Sequence, residues 1–403
     1  MTERMKMPFG TISVTAEARK LVQEALETRR LTSGKYVRLF EEGFAQLAGV
    51  EEAVAVSSGA DADAIALAVL HDHGARRGDE VIIPALSFVA TGNAVLHAGF
   101  TPVFVDVAQE TLNLEPALLE GVVTHRTRAI MPVHLMGKPA DMDAIYAVAK
   151  KYGLFVVEDA AEAHGAEYKG KPAGSLADMG AFSLYAAHIV SSVEGGVITT
   201  DNPEYARIAR SLRAHGRACA CRECKLSTAQ EYCPNRFDAS GGDVRFRFDR
   251  IGFSSKMNEL EAAIGLGNLS IYTRIVEKRH ANLMRGLAAL EPFKPILTTI
   301  SEEPGERIGP HAIPIIVGEE ATFTRDELTA WLEEHGVETR TLFASMPTQC
   351  PGFAYLGYMP GTFPNAEYLG THGLHVGCHQ DLGPEHIDYM ADVIRRFLEA
   401  RQR

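Results

Sequence analysis

The sequence predicts an α/β fold, with a doubly wound, mostly parallel sheet in a large domain and a smaller α+β domain after it. Three observations point there. Between about residues 50 and 200, short, nearly all-apolar runs alternate with helical patterns, as in strands covered on both faces. Beyond about residue 270, another apolar run is set among helices. The length of 403 residues, with 46% hydrophobic and 23% charged residues, suits one large soluble domain and one smaller one. We place the division at 1–270 and 271–403.

In chain order, Glu51–Ser57 reads as a strand and Asp61–Asp72 as a helix. Further strands are read at Glu80–Pro84, Pro102–Val107, Ala129–Val133, Leu154–Glu158, Gly180–Ser183 and Gly196–Thr199. The ligand of such a sheet sits at the strand C-termini. Residues from about 203 to 250 break the pattern and read as an irregular insertion with its own chemistry. Helical spacing returns over Met257–Leu290. The small domain then offers a strand at His311–Val317 and helices at Thr324–Glu334 and Pro384–Arg401.

Charge and hydropathy exclude several classes. The net charge is -12 with no long run of one sign, which argues against a nucleic-acid partner. No apolar run approaches the roughly 18 residues of a membrane span, and Met1–Gly10 lacks the apolar core of a signal peptide. A cytoplasmic enzyme is the expectation.

Two segments suggest a cofactor site. Ser57-Ser58-Gly59-Ala60 joins a strand to a helix, where backbone N–H groups hold phosphate; a plain capped turn is the other reading. Asp159 ends the apolar strand before it, where a carboxylate can pair with a protonated pyridine nitrogen; an N-cap aspartate is the alternative.

The chain resembles the DegT/StrS family of pyridoxal-phosphate-dependent sugar aminotransferases. The resemblance rests on Leu31-Thr32-Ser33-Gly34, Ser57-Ser58-Gly59, Pro84–Ala94, Pro102–Asp106, Pro132-Val133-His134, Glu158–Gly165, Phe182-Ser183, Glu194-Gly195-Gly196 and Lys256–Gly265, in this order. It implies the fold-type I, aspartate aminotransferase-like architecture and a homodimer. It implies that Phe88 stacks on the cofactor ring, Asp159 pairs with its nitrogen and Glu162 stands near its 3-hydroxyl. Gly59, Ala60 and Ser183 would hold the phosphate. Ser254 stands where a partner subunit usually sends an asparagine to the phosphate.

Aminotransferases of this family carry a Schiff-base lysine between the Phe-Ser and the Glu-Gly-Gly. Here that stretch reads FSLYAAHIVSSVEGG, His188 takes the place, and no lysine occurs between Lys171 and Lys225. An imidazole does not tether the cofactor aldehyde, yet it remains a base. The same replacement marks a branch that resembles the nucleotide-4-keto-6-deoxyhexose 3-dehydratases. These work from pyridoxamine phosphate held without a covalent bond. Tyr185, close by in sequence, is a candidate to line the pocket or to pack.

Four of the six cysteines, Cys219, Cys221, Cys224 and Cys233, have the spacing C-x-C-x2-C-x8-C. From spacing alone, structural zinc is favoured over an iron–sulfur cluster. The resemblance implies [2Fe–2S], because one dehydratase branch carries that cluster on a similar though not identical group. Redox chemistry agrees, since a deoxysugar product needs two electrons and zinc relays none. Cys378, between His375 and His379, reads as a buried cysteine more than as a second metal site. His215, Arg217, Arg245 and Arg247 are candidate diphosphate ligands with surface pairing as the alternative.

The expected function is C-3 deoxygenation of a nucleotide-linked 4-keto sugar, with a separate reductase feeding electrons. The alternatives are a cluster-free dehydratase that regenerates pyridoxamine phosphate from glutamate, with zinc at the cysteines, and a non-catalytic homologue serving as a subunit.

Overall fold

The computed structural model describes residues 6–222, 224 and 232–401. Its large sheet has seven strands: β1 (Glu52–Val56), β2 (Glu80–Pro84), β3 (Thr101–Val105), β4 (Thr127–Ile130), β5 (Phe155–Asp159), β6 (Met179–Ser183) and β7 (Gly196–Thr200). Their order is β1-β7-β6-β5-β4-β2-β3. Neighbours from β6 to β3 run parallel, while β7 runs antiparallel to both β6 and β1. β1, β2, β6 and β7 are buried at every residue, which is why their sequences lack polar alternation. A four-stranded antiparallel sheet follows. It consists of β8 (Leu297–Thr298), β9 (Ala312–Val317), β10 (Thr339–Thr341) and β11 (Gly373–Gly377), in the order β8-β9-β11-β10.

Helices α2 (Lys35–Ala48), α3 (Gly59–Val69), α4 (Val89–His97), α5 (Met142–Tyr152) and α6 (Pro203–Leu212) cover the large sheet, and α1 (Ala16–Thr28) packs on the helix Glu259–Leu269. The inserted segment is thus not irregular from its start. Asn202 caps α6 through Glu204 N–H, Pro203 opens it, and Ala206, Ile208, Ala209 and Leu212 are buried. The helical stretch after Met257 splits into α7 (Glu259–Leu269) and α8 (Tyr272–Leu290). The break falls where Ile271 leaves helical geometry and the Ser270 hydroxyl turns back to Gly267 C=O. In the small-sheet region a capping box at Thr324 opens α9 (Arg325–Glu334), which packs against α10 (Pro384–Arg401).

One carboxylate ties the start of the chain to α7. Glu259 is buried and accepts from the backbone N–H groups of Gly34, Tyr36 and Val37. It therefore serves the open N–H groups at the start of α2 from another helix.

Candidate cofactor and active site

The C-terminal ends of the strands open into a cavity of about 560 Å³. Its floor comes from the large sheet: Ser58, Gly59, Ala60, Phe88, Asp159, Glu162, Ser183 and His188 all line it. Its other wall comes from the small-sheet region, through His311, Arg340, Phe343 and His375. Of the sequence-predicted cofactor residues, Ser254 alone is absent from this lining. It is exposed, bridged to Ala214 in an extended segment.

The turn before α3 could hold an anion. Ser58 caps the helix by accepting from Asp61 N–H at 3.1 Å, and Ser57 Oγ donates to Asp61 at 2.5 Å. Gly59 leaves room that no other residue would: a Cβ there would lie 2.6 Å from Ser183 Cβ and 3.0 Å from its Oγ. The first-turn N–H groups and the Ser183 hydroxyl thus share one cradle.

Asp159, buried at the end of β5, accepts from Thr91 Oγ1 at 2.7 Å and from Ala161 N–H at 3.2 Å. Burial raises its pKa, against the hydrogen bonds that lower it. The adjacent Glu158 is spent on structure. It accepts from His134 Nε2 at 2.9 Å and from Gly174 and Leu176 N–H. The other nitrogen of His134 accepts from Ala140 N–H, which fixes the tautomer. Glu162 accepts from Met136 N–H at 2.7 Å, and burial pushes its carboxyl up to about 8.

Phe88 precedes α4 with its ring 57% exposed on the cavity rim, 5.5 Å from Phe343. His188 lines the cavity with Nδ1 enclosed and unpartnered. Burial, then the neighbouring His164 and Arg279, lower it to about 3. Tyr185, half-exposed, also lines the cavity, its ring edge-on to His188 at 6.3 Å. Among the described residues no lysine lines this cavity. A turn that could hold phosphate, a buried carboxylate for a pyridine nitrogen and an exposed ring face make these residues fit pyridoxal or pyridoxamine phosphate.

Sequence reasoning missed Thr91, Asp63, His311, Arg340 and Phe343. Asp63 lies one turn into α3, lines the cavity, and has an unpartnered oxygen. Burial and then Asp159 raise its carboxyl well above the usual range. Its position one turn beyond Gly59 was a legible signal; the small-sheet residues carried none.

The cysteine loop lies elsewhere. Cys219 and Cys221 bring their sulfurs to 3.8 Å, and Arg222 anchors the loop through Glu52. That separation is the edge of a sulfur tetrahedron around a metal at about 2.3 Å. Among the described residues, no three His, Cys, Asp or Glu stand close enough to hold one ion. So the described part of the loop shows two adjacent sulfurs and no assembled metal site. Glu223 and residues 225–231 of this loop lie outside the described residues. Arg245 pairs with Asp243 and Arg247 with Asp238 and Asp249, the surface alternative for both. Neither they nor His215 and Arg217 line the cavity. Cys378 is buried, its thiol donating to Pro310 C=O, and His379 binds Pro8 C=O instead of a metal. No helix among the described residues is long and apolar enough to cross a membrane.

The chain is similar over nearly its whole length to known proteins. GDP-perosamine synthase of Caulobacter vibrioides is 36% identical over 99% of this chain and 100% of its own length. dTDP-4-dehydro-2,6-dideoxy-D-glucose 3-dehydratase of Saccharopolyspora spinosa is 34% identical, covering 97% of this chain and 86% of that protein. The structure of E. coli GDP-4-keto-6-deoxy-D-mannose-3-dehydratase with bound hydrated PLP superposes with a TM-score of 0.85 at 28% identity, covering 97% of this chain and 100% of that one. Residues 13–395 match the family as a whole, and the chain belongs to the DegT/DnrJ/EryC1/StrS aminotransferase family.

Proposed function

We propose that this chain is a pyridoxamine-phosphate-dependent 3-dehydratase acting on a nucleotide-linked 4-keto sugar, with His188 as its base. The observation that carries the reading is a cofactor-shaped cavity lined by an imidazole and, among the described residues, by no lysine. The two relatives named 3-dehydratases support the reaction class. The nucleotide carrier follows their dTDP- and GDP-linked names.

When bound, the cofactor supplies an amine that condenses with the substrate ketone and a ring that accepts electrons. The chain does the rest. Asp159 would keep the pyridine nitrogen protonated, Phe88 would cover one ring face, and Gly59, Ala60 and Ser183 would hold the phosphate. Glu162 would stand near the 3-hydroxyl. His188 would take a proton at the cofactor methylene and return it to the departing sugar hydroxyl. Ser254, turned away from its own cavity, is assigned to the phosphate of a partner subunit in a homodimer. The division near residue 270 sets the small-sheet wall on its own domain.

The four cysteines are assigned a [2Fe–2S] cluster fed by a separate reductase, with zinc as the alternative. The 3.8 Å sulfur pair supports a shared metal, and the electron requirement of deoxygenation favours iron. Equimolar iron and acid-labile sulfide in anaerobically purified protein supports the cluster; zinc without sulfide supports the alternative.

The test of the main reading is the loss of the 3-hydroxyl from a nucleotide-linked 4-keto sugar incubated with protein and pyridoxamine phosphate. His188→Asn should retain cofactor binding and lose turnover. Amino transfer to the sugar at full rate by His188→Asn would overturn the assignment.

A further inference from the structure

A base that is hard to protonate needs somewhere to send its proton. His188 is such a base, because its surroundings disfavour a charged ring. Behind it stands a second imidazole. His311, just before β9, lies with its ring centre 5.2 Å from that of His188, the planes inclined by 40°. Both rings have an Nδ1 sealed from solvent with no hydrogen-bond partner. Two buried unpartnered nitrogens side by side are rare unless they serve each other. An N–H···N bond of about 2.9 Å, plus about 1.1 Å from each ring centre to its nitrogen, spans about 5.1 Å. The rings are therefore at bonding separation and need only turn toward each other. The far nitrogen of His311, Nε2, stands 3.4 Å from Glu162 Oε1.

We propose that His311 is a positioning residue that joins His188 to Glu162 in a proton relay. The proposal rests on the reading of His188 as the base. In the resting form, His188 carries its hydrogen on Nδ1 and points it at His311 Nδ1. His311 carries its hydrogen on Nε2 and points it at the Glu162 carboxylate. This leaves His188 Nε2 as the basic nitrogen. As Nε2 takes a proton from the cofactor methylene carbon, the Nδ1–H of His188 passes to His311 Nδ1. The Nε2–H of His311 passes to Glu162. The C–H electron pair stays with the cofactor, the negative charge leaves Glu162, and neither ring ends up charged. Reversal of the same transfers returns the proton to the leaving hydroxyl.

The charged surroundings favour this division. His311 is faced by His188, His375 and His164 and by the Arg279 guanidinium on α8; burial first, then these neighbours, push it well below its ordinary value. Arg279 is itself buried and donates to the backbone carbonyls of Pro310 and His311. Beyond His375 stands Arg340. Glu162 faces Asp159, His311 and the Met136 N–H, and has the opposite tendency, holding a proton up to about 8. A proton entering at His188 is thus more stable on Glu162 than on either ring.

The test uses the full-length protein. Infrared titration should show a buried-acid C=O stretch that disappears as pH rises through about 8 and is missing in Glu162→Gln. ¹⁵N shifts of His188 should report a change of tautomer over the same range, and Glu162→Gln should abolish that change. In turnover, kcat/KM should rise with pH along the same limb. His311→Gln should lose about a hundredfold in kcat with pyridoxamine phosphate affinity within about threefold of wild type. Should Glu162→Gln fail to fold, His311→Asn must shift the same infrared band. A band that survives Glu162→Gln, or a His188 tautomer indifferent to Glu162, overturns the relay. These spectra need no substrate, so a protein that dehydrates no sugar would sink the functional reading without touching this test.

Discussion

Thr91→Val isolates the electrostatics of the cofactor's nitrogen site. The two side chains have nearly the same shape, so the change removes a hydroxyl and little else. In the native protein Thr91 Oγ1 donates to Asp159 at 2.7 Å, and the Ser87 hydroxyl lies 2.8 Å behind it. A hydrogen bond to a charged carboxylate is worth about 1.5–3 kcal/mol, one to a neutral partner about 0.5–1.5 kcal/mol. Asp159 must be ionised when it pairs with a protonated pyridine. Without the cofactor, burial raises its pKa. Taken against a free carboxyl that is neutral, the bound state loses about 1–1.5 kcal/mol more. Pyridoxamine phosphate should bind about tenfold more weakly. Quenching of protein fluorescence by the cofactor measures it, with thermal melts to show that the variant folds. A well-folded variant with affinity within about twofold of wild type would refute the assignment of Asp159 to the ring nitrogen.

Other expectations follow from the same geometry. Gly59→Ala drives a methyl into Ser183 and should cost about 1–3 kcal/mol, with cofactor affinity falling further; a melting curve and a binding titration separate the two. His164 donates from Nε2 to Ser183 C=O at 2.9 Å, and burial lowers it to about 4. The native state then refuses protons that the unfolded chain accepts as pH falls below about 6.5. Its stabilising share is full above that pH and lost toward 4. His164→Gln should therefore remove about 1.2 kcal/mol of the destabilisation seen between about pH 7 and 5.5, read from denaturant midpoints at both. Cys219→Ser should lose bound metal in purified protein while keeping pyridoxamine phosphate affinity, because the loop lies outside the cavity lining.

Much of the large sheet was legible from composition. Val81–Ile83 is apolar throughout and bounded by Gly78 and Pro84, and β2 (Glu80–Pro84) contains it. The antiparallel run of β7 was not legible, because a buried strand reads alike in both directions. Of the site, the residues near a strand end could be picked out: Gly59, Asp159, Ser183 and His188 each follow or end an apolar run. Thr91 and His311 could not. Thr91 sits within α4 and matters only because the fold brings it against Asp159. His311 meets Glu162 from the segment just before β9, in the other sheet. Long-range pairings of this kind leave no mark in local spacing.

The cavity is walled by two sheets that are far apart in sequence. A ligand gripped by Gly59 and Asp159 on one side and by Arg340 and His375 on the other acts as a mortar joint between them. Occupancy at about a hundred times Kd would add about 2.7 kcal/mol of cohesion, shared by both halves of the chain. Limited proteolysis at the seam after α8 should accordingly slow when cofactor and nucleotide sugar are both present.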